Sequence, residues 1–204
     1  GRPIQVLGKK NPIPGHNIIL TIDYTIQTAT EKAVDEHLKF LRDVTGAKNA
    51  YAAAVVVINP KNGEILAMVS RPSFNPNLFP DGISHKEWDK INKNPYSPME
   101  NKVISGEYPP GSTFKIITGS AALELGKVTP EEKIYDKGYH WIIPKTNSGG
   151  VALGLINLQE ALAKSNTVLF YEMGNRIGID NIEKYAKMFG LGQITGIDLP
   201  GETK

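Results

Sequence analysis

There is no cysteine among the 204 residues of this chain. That excludes disulfides, thiolate zinc sites and a cysteine nucleophile together. It leaves the compartment open, because extracytoplasmic proteins can also lack cysteine. Histidine is sparse: His16, His37, His85 and His140 lie far apart, and none falls in a spacing such as H-E-x-x-H. Coordination needs several converging donors, so these residues read as surface or satisfied core groups, and no metal site is expected. Charge of one sign is scarce too. Twenty-three basic residues face 21 acidic ones, for a formal net charge of +2. Nothing in that balance points to nucleic acid. The longest apolar run, residues 51–58, falls far short of the ~20 residues a bilayer span needs. No signal peptide opens the chain. Either the protein is cytoplasmic or a targeting segment lies outside this sequence.

What is present reads as a mixed chain with a sizeable core. Residues 1–17 are rich in Gly, Pro, Asn and Lys and read as a linker. Residues 18–22 read as a short strand. Asp23 is a good N-cap for a helix that should end near Gly46. Residues 52–58 are continuously apolar, 59–63 form a turn cluster and 64–70 form a second β-like run. Together they predict a hairpin. The first of its strands lacks polar alternation, so both its faces should be buried.

A Pro/Asn-rich loop over 71–83 leads to a capping box at Ser84 and Glu87. After an irregular stretch, residues 112–125 read as a helix closed by Gly126. Thr129-Pro130 with Glu132 marks a further helix start. Asn157 with Glu160, and Asp180 with Glu183, open two more. Residues 167–177 are apolar and helical, and Gly190 ends the last helix. One hairpin thus sits in a mainly helical chain. A two-stranded hairpin is marginal alone, so this one needs helix packing or further strands.

The segment Tyr108-Pro109-Pro110-Gly111-Ser112-Thr113-Phe114-Lys115 carries the chemistry. Residues three apart share a helix face, so Lys115 can approach the Ser112 hydroxyl. A serine is a weak nucleophile until a neighbouring base takes its proton. Lysine can be that base only when neutral, and burial lowers its pKa. The helix start also offers N–H groups to a developing oxyanion. Alone, the pattern also fits a Ser112 that merely caps a helix and a Lys115 on the surface.

Taken with its surroundings, the segment resembles the S-x-x-K element of the penicillin-binding proteins. The chain is similar to the class B, elongation-type (penicillin-binding protein 2-like) transpeptidases. The resemblance rests on Leu20-Thr21-Ile22-Asp23 with Gln27, the hairpin 57–70, and the loop Pro72-Ser73-Phe74-Asn75-Pro76-Asn77. It rests further on Pro110-Gly111-Ser112-Thr113-Phe114-Lys115 and on Gly196-Ile197-Asp198-Leu199-Pro200-Gly201-Glu202. These matches run in order along nearly the whole chain.

The resemblance implies an α+β fold of the penicillin-binding protein/β-lactamase-like transpeptidase type, truncated. A hairpin of the central antiparallel sheet and a helical subdomain would be present and the later strands absent. Residues 18–204 would form a partial transpeptidase domain after the linker 1–17. It implies Ser112 as the acylated nucleophile, Lys115 as its base and Ser165 as a proton-relay serine. The second family element falls on Ser165-Asn166-Thr167, or on Lys164-Ser165-Asn166 one residue earlier. Asn166 and Thr167 are the substrate-binding candidates. The first register keeps Phe170-Tyr171 at the family spacing but puts Thr where the family has Asn or Asp. For Ser165 a helix cap is the alternative role. The third element, Lys-[Thr/Ser]-Gly, is absent; Lys145-Thr146-Asn147 lacks the glycine and lies upstream of the second.

The implied activity is a penicillin-sensitive D,D-transpeptidase without metal or organic cofactor. Its partners would be a peptidoglycan stem peptide on a lipid-linked precursor, β-lactam antibiotics and a glycosyltransferase. The parent protein would be anchored in the cytoplasmic membrane and face outward. The 204 residues alone are expected to be inactive and to self-associate through an open sheet edge. A β-lactam-sensing receptor domain and a non-catalytic structural module are the rival classes. A class A β-lactamase fits the Leu20-Thr21-Ile22-Asp23 segment and the loop at 72–77 poorly.

Overall fold

Asp23 does what its position before an apolar helical pattern implies. Its carboxylate accepts from Ile26 N at 2.9 Å and opens α1 (Tyr24–Asp43). The computed structural model describes residues 13–203. The expected linker falls mainly on residues 1–12, outside the described residues, while 13–17 form neither helix nor strand. The chain divides between Val103 and Ile104 into two compact units.

In the first unit, β1 (Ala53–Ile58) pairs antiparallel with β2 (Ile65–Arg71), Ala53 opposite Arg71 and Ile58 opposite Ile65. The turn is closed by Asn59 N to Glu64 O at 2.8 Å and Gly63 N to Asn59 O at 2.9 Å. The strand expected at 18–22 does not form. Ile18 and Ile19 are 84% and 96% exposed, and this segment touches β2 through Thr21 Oγ1 on Ile65 O and Asp23 N on Leu66 O. The next position along β2 is already taken. The Gln27 amide of α1 donates to Met68 O at 3.0 Å and accepts from Met68 N at 2.8 Å, as a neighbouring strand would. A run of β-formers without a ladder gains nothing from its propensity.

The expectation that both faces of β1 are buried also fails. Helix α1 covers one face; on the other, Val56 and Ile58 remain 41% and 50% exposed. The deeply buried residues of this hairpin, Ala67 and Val69, lie on β2. Arg71 ties β2 to α1 with a forked pair on Asp35, at 2.7 and 3.1 Å. A short α2 (His85–Asn92) starts at Ser84, whose hydroxyl accepts from Glu87 N.

In the second unit, α3 (Phe114–Glu124), α4 (Leu158–Ala163), α5 (Thr167–Ile177) and α6 (Ile179–Met188) surround a shared core. Its centre is Ala121, Ala122, Leu169, Phe170, Met173 and Ile177, with Ile156 and Ala161 beside them. Small residues on α3 let α5 approach closely. The helix expected at Thr129-Pro130 is a single turn. Thr129 Oγ1 accepts from Glu132 N at 3.2 Å, as a cap should, but the chain then enters β3 (Ile134–Asp136). This pairs with β4 (Gly154–Ile156), Ile134 opposite Ile156. Strand pairing buries Ile156 in the helical core, which a continued helix would not do. The last helix begins at Ile179 after Gly178, so Asp180 lies in its first turn rather than at its cap. The α+β class holds, with two small antiparallel sheets among the described residues where one hairpin was expected.

Candidate active site

Three side chains named from the sequence converge in the second unit. A tight turn, Gly111–Thr113, carries Ser112 into α3. Neither this turn nor α3 is capped by a side chain, and the exposed Ser112 hydroxyl instead meets that of Ser165 at 2.9 Å. Lys115, one turn on, donates to the Ser165 hydroxyl at 3.0 Å and to the Ser165 carbonyl at 2.6 Å. The order is therefore Ser112, Ser165, Lys115, with Ser165 in the middle. Lys115 lies 5.7 Å from the centre of the Phe170 ring, and burial holds its pKa below the ordinary lysine range. Among the described residues it has no acidic partner.

Ser165 has an unusual backbone. Helix α4 ends with Asn166 N on Ala161 O at 2.8 Å and Ser165 N on Leu162 O at 3.0 Å. This is the Schellman pattern, whose left-handed position ordinarily goes to glycine. Helices α3 and α6 end the same way and use Gly126 (φ 60°) and Gly190 (φ 88°) there. Helix α4 uses Ser165, at φ 50°.

Asn166 turns inward. It is 2% exposed; its carbonyl oxygen accepts from Leu169 N at 2.7 Å and its amide donates to Asp136 Oδ2 at 2.7 Å. Thr167, the first residue of α5, is partly exposed, and its N–H donates to Asn147 Oδ1 at 2.9 Å. Of the two substrate-binding candidates, the structure brings only Thr167 partly to the surface.

No sequence motif singled out Asp136 or Asn147. Asp136 is 1% exposed and accepts from Gly138 N, Leu153 N, Asn147 Nδ2 and Asn166 Nδ2, at 2.8, 3.0, 2.7 and 2.7 Å. Burial raises its pKa, but these donors outweigh burial and hold the carboxyl below its usual range. Gly138 is required beside it. Its φ is +84°, and a Cβ there would come within 2.8 Å of Gly150 O. The available signal was Asp136 two residues before a glycine, a common side-chain-to-backbone turn; its burial had none. Among the described residues no three His, Cys, Asp or Glu side chains gather as a metal-ligand set would.

Residues 53–204 match the family model described as penicillin binding protein transpeptidase domain. The chain belongs to that family. This transpeptidase-domain chain is 35% identical over 205 residues to the peptidoglycan D,D-transpeptidase MrdA of Acinetobacter baumannii, covering 98% of itself and 28% of that protein. It thus spans less than a third of that relative's length. It superposes on Pseudomonas aeruginosa PBP2 with a TM-score of 0.81 at 36% identity, over 94% of this chain and 41% of that one. Against the imipenem acyl-enzyme complex of penicillin-binding protein A from M. tuberculosis the TM-score is 0.70 at 35% identity, over 85% and 40%. The transpeptidase-domain fold and the PBP2-type relationship read from the motifs therefore stand.

Proposed function

We propose that this chain carries the nucleophile and base of a D,D-transpeptidase that cross-links peptidoglycan stem peptides. The observation that carries the proposal is the run Ser112–Ser165–Lys115, with contacts of 2.9 and 3.0 Å. Neutral Lys115 takes the Ser165 proton while Ser165 takes that of Ser112. The Ser112 oxygen attacks the carbonyl carbon of the penultimate D-alanine in a stem ending in D-Ala-D-Ala. The C–N bond breaks, the proton returns to the leaving amine, and D-alanine departs from a Ser112 ester. An amine of a second stem then attacks that ester, forming the cross-link and returning the proton to Ser112. A β-lactam ring opens by the same first step and leaves Ser112 acylated. Every step balances with side chains and substrates alone, so the mechanism calls for no cofactor.

Thr167 is assigned the contact to the substrate amide, because Asn166 is committed inward. The substrate is presented on a lipid-linked precursor at the outer face of the cytoplasmic membrane, and a glycosyltransferase supplies the glycan strands. Among the described residues no helix is long and apolar enough to cross a membrane. Residues 1–204 by themselves are assigned little turnover, because the sequence holds no Lys-[Thr/Ser]-Gly element. In this family the strand that bears this element supplies an oxyanion donor, and losing one such donor costs about 10²–10³ in rate.

Fluorescent penicillin tests the assignment on the full-length gene product. Covalent label on the peptide containing Ser112, lost in Ser112→Ala, is the expected result. Unchanged labelling of Ser112→Ala defeats the proposal.

A further inference from the structure

Helix α4 closes on a serine where α3 and α6 close on glycine. In the left-handed region a side chain crowds the following carbonyl, which is why glycine ordinarily takes this position. Something must therefore hold Ser165 there, and the residues that follow it show what does.

Asn166 is fixed at three points. Its main-chain N–H is bound to Ala161 in α4, its side-chain oxygen to Leu169 N in α5, and its side-chain amide to Asp136 in β3. Asn147, held by the same Asp136 oxygen, accepts from Thr167 N at 2.9 Å and Val168 N at 3.1 Å. The first three N–H groups of α5 are thus all bound by two asparagine side chains that share one buried carboxylate. Asp136 is anchored in turn by the backbone of Gly138 and Leu153. Hydrogen bonds to an ionised acceptor are about twice as strong as neutral ones. No ammonium or guanidinium pairs with Asp136 among the described residues, so its charge is met by oriented amides.

We propose that Asp136, acting through Asn166, is a positioning residue for Ser165. The buried Asp136–Asn166 hydrogen bond pins the start of α5 to the β3–β4 sheet. Ser165, one residue before it, is thereby kept in the left-handed conformation that places its hydroxyl between Ser112 and Lys115. Cutting this tether lets the α4–α5 joint relax and breaks the proton path without touching any reacting group. The inference rests on the relay assigned above to Ser165.

Asn166→Ser in the full-length gene product isolates the tether. Serine still caps α5 but has no amide to reach Asp136. Stopped-flow acylation by penicillin, split into binding and acylation steps, is the readout. The acylation rate constant should fall by about tenfold or more, a part of the ~10²–10⁴ that positioned proton transfer supplies. The dissociation constant of the pre-covalent complex should stay within about threefold, because no substrate contact is lost. An acylation constant within about twofold of wild type overturns the proposal. So does a loss carried by the dissociation constant, which would make Asn166 a substrate contact.

Hydrogen exchange on the wild-type protein tests the same idea should the variant not fold. The amides of Asn166, Thr167, Val168 and Leu169 should exchange only through global unfolding. Exchange at the rate of a frayed helix start would show that the anchor holds nothing, and the proposal would fall. A wild-type protein that penicillin does not label at Ser112 removes the relay itself. Normal labelling with an unaffected Asn166→Ser removes only the tether.

Discussion

Lys115 reaches Ser112 only through Ser165: its ammonium lies 3.0 Å from the Ser165 hydroxyl, which lies 2.9 Å from that of Ser112. A lysine placed one helical turn after Ser112 could have met it directly. Here it is drawn to the end of α4 by the Ser165 carbonyl, which accepts from it at 2.6 Å. Ser165 therefore both anchors Lys115, the proposed base, and links it to Ser112, the proposed nucleophile.

That double role separates two substitutions of Ser165. Ser165→Gly removes the hydroxyl but suits the left-handed backbone, whereas Ser165→Ala removes it and keeps the strain. Both should slow penicillin acylation by about 10²-fold or more. Urea unfolding should find the glycine variant more stable than the alanine variant by about 1 kcal/mol. Equal stabilities would mean that the left-handed φ of Ser165 carries no strain.

A lysine can act as a base only after losing its proton. Lys115→Arg keeps the positive charge, and arginine does not deprotonate in proteins, so acylation should drop by about 10²–10⁴. In the wild type, acylation should rise with pH as Lys115 deprotonates. Burial lowers its folded pKa, so the rise should be centred below the ordinary lysine value of ~10.4. A rate rising only at or above that value would count against Lys115 as the base.

Asp136 should give the protein a specific sensitivity to acid. Its folded pKa is depressed, so the unfolded state binds its proton first as pH falls. The carboxylate's contribution is complete above the unfolded value of ~3.9 and is lost as pH drops through the folded pKa. Calorimetry from neutral to acidic pH should show Asp136→Asn less stable than wild type at neutrality, with the gap closing toward the acid end. A gap that stays constant with pH would show that the charge of Asp136 adds nothing.

The outer edge of β1 has no strand partner among the described residues, and Val56 and Ile58 lie exposed on this strand. Unpaired edges of this kind invite pairing with a second chain. Sedimentation of residues 1–204 should therefore show association that grows with concentration, and Val56→Lys should reduce it. Monomers throughout the concentration range would rule the edge out as a contact.

Local rules carried much of this protein. Asp23, Ser84 and Asn157 each cap the helix they precede, because capping needs only a side-chain oxygen a few atoms from a free N–H. The run over 167–177 is a helix with those bounds, and Gly126 and Gly190 close helices as glycine does. The S-x-x-K element and its ordered neighbours pointed to the family. Tertiary structure decided what depends on partners distant in sequence. Residues 18–22 had the composition of a strand, but the Gln27 amide holds the neighbouring position on β2. The turn at Thr129-Pro130 had the signs of a helix start, but pairing with residues 154–156 made it the approach to a strand. The sequence places Ser165 fifty residues from Lys115 and twenty-nine from Asp136, and only folding shows that the second of these, through Asn166, holds the joint at which Ser165 meets the first. Caps and turns are settled within a few residues of chain, whereas a buried carboxylate acquires its meaning from whichever amides the fold brings to it.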